Sequence, residues 1–149
     1  MSTTNQQQLL EQLKDNINLL LGFHDKEPRI NLGPCGMFAQ LFFEAWNKAF
    51  KNKVHICFVM TLDKSECYHI VLRLPSGELY DGGIGIHTDE AYTPQYVIDD
   101  MLTYDAALLE KWAYGLERDY PRFCPDFDKN QISDLIHQII KQLLDLEKQ

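Results

Sequence analysis

Apolar residues recur in two different periods along this chain. Leu9, Leu10, Leu13, Ile17, Leu20 and Leu21 fall at helical spacing, which predicts an amphipathic helix over residues 5–21 with Gly22 as its stop. Residues 23–33, holding His24, Asp25, Pro28 and Asn31, carry no such period and read as a loop. A second helix is predicted over residues 34–50. Pro34 suits its first position, where the missing N–H is harmless. Cys35, Ala39, Phe42, Phe43, Trp46 and Phe50 share one face, and Met37, Leu41 and Ala45 widen it. Gln40, Glu44, Asn47 and Lys51 occupy the narrow remainder, so this helix is expected to be central and packed on most sides.

The period then drops to two. Residues 54–61 put Val54, Ile56, Phe58 and Met60 on one face. In residues 68–74, Tyr68, Ile70, Leu72 and Leu74 alternate with His69, Val71 and Arg73. Pro75-Ser76-Gly77 is a tight turn, and residues 78–81 return as a short strand that closes a hairpin. Gly82, Gly83 and Gly85 mark a flexible or closely packed exit. From Thr93-Pro94 the pattern reads as helical again, with Tyr96, Val97, Met101 and Leu102 apolar. Further helices are predicted over 106–116 and, after a loop from Pro121 to Pro125, over 129–146 with Asp128 as cap. The class is therefore α+β: one domain, 1–149, with a core over 31–87. A central helix packs on a small antiparallel sheet, with helical flanks over 5–21 and 93–147.

Charge and cysteine usage narrow the function. A net charge of −8 over 149 residues argues against nucleic acid or an anionic membrane as partner, since both demand clustered Lys and Arg. Solubility is the ordinary reason for such acidity; a basic partner surface is the sharper one. No apolar run approaches the ~20 residues of a membrane span, and the N-terminus has no cleavable signal pattern. Cys35, Cys57, Cys67 and Cys124 form no C-x-x-C pair. Free thiols in a reducing, cytoplasmic setting are expected, with no metal and no cofactor; export without a cleavable signal would leave no trace here.

One combination points to chemistry. Cys35 follows a Gly-Pro turn at a helix start, where the partial positive charge of the helix end favours a thiolate. His69 lies at the start of one strand and Asp81 at the end of its neighbour, so a hairpin can bring the two together. Cys35 would be the nucleophile, partly accessible; His69 would take and return its proton, and Asp81 would orient the ring. Each residue also has a plainer reading: a buried small hydrophobe, a solvent-facing strand residue, and an Asp-Gly turn. The order Cys, His, Asp on helix, strand and strand favours catalysis. The Cys35 backbone N–H is the natural oxyanion donor, with Asn31 a candidate second donor. Gly36 and His87 are candidates to line the cleft, although His87 also reads as a surface loop residue. Cys57, Cys67 and Cys124 read as structural. His24, His55, His87 and His137 lack metal-ligand spacing.

Gly33-Pro34-Cys35-Gly36-Met37-Phe38-Ala39, together with His69 and the hairpin ending in Tyr80-Asp81, resembles the papain-like cysteine enzyme superfamily. It is most similar to the transglutaminase-like branch and its arylamine N-acetyltransferase relatives. Phe38-Ala39 resembles the aromatic-Ala pair after the nucleophile of transglutaminase-like domains, and Asp81-Gly82-Gly83-Ile84-Gly85 resembles the acetyltransferases' Asp-x-Gly-Phe-Gly. The resemblance spans residues 31–87 and implies Cys35, His69 and Asp81 as the triad. Two departures stand out. Asn31-Leu32-Gly33-Pro34 replaces the acetyltransferases' Arg-Gly-Gly, which counts against acetyl-coenzyme A as donor. Arg29 stands where papain-type peptidases carry a glutamine, which weakens a conventional peptidase assignment. The expected function is thiol-dependent acyl transfer on a protein or peptide amide: peptide hydrolysis, glutamine deamidation or transamidation. The alternative is a non-catalytic acidic inhibitor or immunity-type protein on the same scaffold.

Overall fold

The computed structural model describes residues 2–32, 34–114 and 128–148. The expectations for Gly33, for Cys124 in the Pro121–Pro125 loop and for the last two residues of the 106–116 helix lie outside the described residues. Within them the protein is mixed α+β, with four α-helices, a five-stranded antiparallel sheet and a two-stranded sheet. Helix α1 spans Ser2–Leu21, three residues longer at its start than apolar spacing indicates. The added residues are Ser2, Thr3 and Thr4, which carry no apolar stripe to announce them.

The segment read as a loop holds a small hairpin, β1 (Phe23–His24) and β2 (Glu27–Pro28), and a 3-10 turn over Arg29–Asn31. Asp25 and Lys26 at its tip have φ of 49° and 70°, the left-handed pair that a two-residue hairpin turn uses. Helix α2 runs Cys35–Ala49 with Pro34 as its N-cap rather than its first residue. It packs on the sheet and is covered by the later helices α3 (Ala106–Tyr114) and α4 (Lys129–Glu147). Asp128 caps α4 as expected, its carboxylate accepting from the Asn130 N–H at 2.8 Å.

The large sheet contains β3 (His55–Thr61), β4 (Cys67–Arg73), β5 (Leu79–Asp81), β6 (Gly85–His87) and β7 (Tyr96–Met101) in the order β6-β5-β4-β3-β7. Two expectations are corrected here. The region after Thr93-Pro94 is not a helix: residues 96–101 pair along β3, from Tyr96 opposite Thr61 to Met101 opposite Ile56. Tyr96, Val97 and Ile98 suit a pleated surface, and an open β3 edge would leave backbone groups unpaired. The residues after Asp81 are not only a glycine exit, since Gly85–His87 return as β6 opposite Leu79–Asp81.

The alternation of β4 is broken as well. Val59 pairs with His69 but Met60 pairs with Cys67, which leaves Tyr68 as the extra residue of a bulge. Cys67, not Tyr68, joins Ile70 and Leu72 in the main core, and Tyr68 is 57% exposed. A bulge twists the strand and re-aims its side chains, here at the position of His69. The opposite sheet face carries a smaller apolar layer of Cys57, Val59, Val71, Leu79 and Tyr92.

Gly36 shows how closely α2 is covered. A Cβ there would lie 2.4 Å from the Ala113 Cβ and 2.9 Å from its Cα, on α3. Gly36 is thus the contact point of two helices. Gly36→Ala is expected to lower the unfolding free energy by about 1–3 kcal/mol, the usual range for overpacking, read from urea midpoints.

Candidate active site

Cys35 opens α2, and no side chain caps that helix end. The Phe38 N–H reaches back to the Pro34 carbonyl at 3.0 Å, closing the first turn. The sulfur therefore sits at the positive end of a fifteen-residue helix, the position that favours a thiolate. It is not partly accessible: Cys35 is 2% exposed, because the first turn of α2 is buried on every side from Cys35 to Ala39.

His69 and Asp81 are 5% and 2% exposed and meet at 2.8 Å, Nε2 to Oδ2. The register explains the meeting. Leu72 pairs with Tyr80, so Asp81 lies at the His69 end of the hairpin, on the face that His69 and Val71 share. With Nε2 committed to Asp81, Nδ1 is the ring nitrogen left for the Cys35 side chain, with which the imidazole forms a hydrogen bond. The structure thus brings the thiol, imidazole and carboxylate together in that order.

Electrostatics follow from burial and pairing. Burial pushes the His69 pKa down, but the Cys35 charge, and the hydrogen bonds to Asp81 and Cys35, outweigh it and raise the ring to about 10. Burial pushes Asp81 up, yet the bond to His69, the His69 charge and the Ile84 N–H hold it at about 2. Each shift favours the charged form, so the site is built for an imidazolium paired with the Asp81 carboxylate.

Asp81 performs two tasks with its two oxygens. Oδ2 accepts from His69, while Oδ1 accepts from the N–H groups of Gly83 at 2.8 Å and Ile84 at 2.6 Å. One carboxylate therefore serves the Asp-Gly turn and bonds the His69 ring at once. The turn is wedged between neighbours. A Cβ on Gly82 would stand 3.0 Å from the Phe38 ring, and one on Gly83 would stand 2.5 Å from Asn31 Nδ2. The turn is also tied to α1, because Asn18 Nδ2 donates to the Gly83 carbonyl at 2.9 Å. Glu11 accepts from the Ile86 N–H at 2.7 Å, and the Tyr80 hydroxyl donates to the Leu10 carbonyl at 2.6 Å. The N-terminal helix therefore fixes the loop that holds Asp81.

Asn31 lies against Gly83, with its Oδ1 buried and unpartnered in hydrogen bonding. His87 is half-buried, not a surface loop residue. Its Nδ1–H donates to the Gly85 carbonyl at 2.8 Å, so in the neutral ring Nε2 accepts from the Tyr92 hydroxyl at 2.7 Å. Tyr92 in turn packs its ring against His69, centroids 6.3 Å apart.

Tyr92, Asn18 and Tyr68 were not singled out as site residues from the sequence. Asn18 borders the apolar stripe of α1, the one local signal of an inward-facing polar group. Tyr92 carries no such signal, since only the tertiary fold brings it to His69. The other described cysteines are spoken for. Cys57 donates to Asp100 Oδ1 at 2.9 Å, and burial followed by that carboxylate pushes its thiol up. Cys67 is buried and donates to the His69 carbonyl at 3.3 Å. Among the described residues no group of three or more His, Cys, Asp or Glu could hold a metal ion, and no helix is long and apolar enough to cross a membrane. Comparisons with family models, curated proteins and solved structures find no match.

Proposed function

We propose that the protein is a cysteine-dependent acyl-transfer enzyme of papain-like, transglutaminase-like build, with Cys35 as nucleophile, His69 as base and acid, and Asp81 as orienting carboxylate. The observation that carries this reading is the buried 2.8 Å bond between His69 Nε2 and Asp81 Oδ2 beside a thiol at a helix N-terminus. Structural ion pairs also occur in cores, but a thiol on the other ring nitrogen gives this pair a proton to exchange.

The chemistry divides into two halves. The Cys35 sulfur attacks an amide carbon; the tetrahedral intermediate collapses as His69 protonates the departing nitrogen, leaving a thioester on Cys35. In the second half His69 takes a proton from water, the water oxygen bonds to the thioester carbon, and the C–S bond breaks to release a carboxylate and restore the thiol. A sulfur of such low exposure favours a slender group presented end-on, and a glutamine side-chain carboxamide has that shape. Glutamine deamidation of a protein substrate, with ammonia leaving, is accordingly the preferred reaction over cleavage within a peptide chain.

The test is cysteine-selective alkylation of the folded protein near neutral pH, read by mass spectrometry. Cys35 is expected to react at least tenfold faster than Cys57 or Cys67, and His69→Ala is expected to erase that selectivity. Equal, slow labelling of all three, or Cys57 reacting first, would support the non-catalytic acidic binder in place of the enzyme. Release of ammonia from glutamine-containing proteins, without new peptide termini, then separates deamidation from proteolysis.

A further inference from the structure

The bulge that re-aims His69 also pushes Tyr68 out of the sheet and into solvent. Tyr68 does not swing freely there. Its ring stacks on Tyr96 with centroids 4.4 Å apart and planes 14° from parallel, and its edge meets His69 at 6.4 Å and 68°. Stacking holds the ring in one orientation while more than half of the residue stays exposed, so a ligand meets a surface that is already ordered. An exposed aromatic ring, pre-ordered by a half-buried partner and in contact with the proposed catalytic imidazole, is a binding feature that the acyl-transfer chemistry itself does not use.

Its electrostatic surroundings decide what it takes. Burial, then Tyr96 and the Glu27 carboxylate, push the Tyr68 phenol up, and Glu27 on β2 is exposed. Arg73, the cation on the same face of β4, is already held by Asp89 and Asp100. The whole chain carries −8. Aromatic faces bordered by a carboxylate attract cations through the ring quadrupole and the charge together.

We propose that the exposed ring of Tyr68, backed by the half-buried Tyr96 and acting together with the Glu27 carboxylate, is a subsite that receives a lysine or arginine side chain of the protein substrate, next to the amide delivered to Cys35. This deepens the acyl-transfer reading and rests on it for the identity of the neighbouring group. The class of substrate is therefore a basic protein segment, with a cationic residue close to the modified glutamine.

Two measurements on the full chain test this. In the first, N-acetylargininamide and its neutral isostere N-acetylcitrullinamide are titrated into Cys35→Ser while the Tyr68 and Tyr96 ring signals are followed by NMR. The arginine compound is expected to shift both rings and the citrulline compound to shift neither. Glu27→Gln and Tyr68→Leu are each expected to weaken binding roughly two- to fivefold, the size of one exposed cation–aromatic contact. Equal shifts with both compounds, no shift at either ring, or the same weakening in the remote control Asp145→Asn would overturn the subsite.

The second compares modification of Cys35 in the otherwise unaltered protein by trimethylammonium-ethyl and neutral methyl methanethiosulfonates. A cationic preference that falls in Glu27→Gln supports delivery to the thiol, and equal rates overturn it. If Cys35 resists both reagents while the arginine compound still shifts the two rings, the cation subsite stands and the thiol-enzyme reading fails.

Discussion

Cys35→Ser is expected to abolish turnover on any amide substrate, by several orders of magnitude, while leaving the protein folded. Removing the nucleophile of a triad generally costs about as much as removing the whole triad, because the members act as a unit. The serine hydroxyl occupies nearly the same volume as the thiol at a site that is 2% exposed, so the packing around Phe38 and Ala39 has little to accommodate. What changes is the proton. A hydroxyl does not ionise beside an imidazole as a thiol does, and the Cys35 charge is the largest influence raising His69. The His69 ring in Cys35→Ser is accordingly expected to titrate at lower pH than in the wild type, as followed by ring NMR signals. Full turnover by the serine variant, or by Cys35→Ala, would assign the nucleophile elsewhere.

Asp81→Asn should lower the rate by up to about 10⁴-fold, and the hydrogen bonds around the carboxylate say why. Its Oδ1 accepts from two backbone N–H groups, Gly83 and Ile84. An asparagine at this position keeps its carbonyl oxygen in the turn, because an amide NH₂ there would face two donors. The NH₂ then occupies the Oδ2 position and points at His69 Nε2, which must accept. The ring proton moves to Nδ1, the nitrogen beside Cys35, and the imidazole can no longer take a proton from the thiol. Loss of the Asp81 charge also weakens the imidazolium, so the acid limb of Cys35 alkylation moves to higher pH.

The same substitution has a sign-defined effect on stability. Folding lowers the Asp81 pKa from 3.8 to about 2, so its contribution is present above the ordinary carboxylate value and is lost as pH falls through about 2. The stability gap between wild type and Asp81→Asn is therefore expected to narrow below about pH 4 and close near pH 2, as read from urea midpoints. Superimposable alkylation profiles for the two proteins would restrict Asp81 to its turn and leave a Cys-His dyad.

Much of this site is local in origin, and that is why it is legible along the chain. A Gly-Pro pair ahead of an apolar run marks Cys35 as a helix start whatever surrounds it. Two strand patterns around Pro75-Ser76-Gly77 make a hairpin whose strands carry His69 and Asp81 to the same end. Apolar spacing likewise marks α1, α2, α3 and α4, because each helix buries one stripe and the stripe is written every three or four residues. These features rest on contacts within a few residues of each other or across one turn.

What the tertiary structure decided depends on partners distant in sequence. Residues 96–101 suit either a helix or a strand locally, and only the open edge of β3 makes them β7. The bulge at Tyr68 arises where β4 must satisfy β3 and the site together, so no alternation in β4 alone announces it. The close approach of α3 to the first turn of α2 is made at Gly36, and the loop after Asp81 is tied down by Asn18, 65 residues before the Gly83 carbonyl it binds. Periodicity records which face of an element is buried. It does not record which element will cover it, because that is set by the complementary shapes and unpaired backbone groups that meet only once the chain has closed.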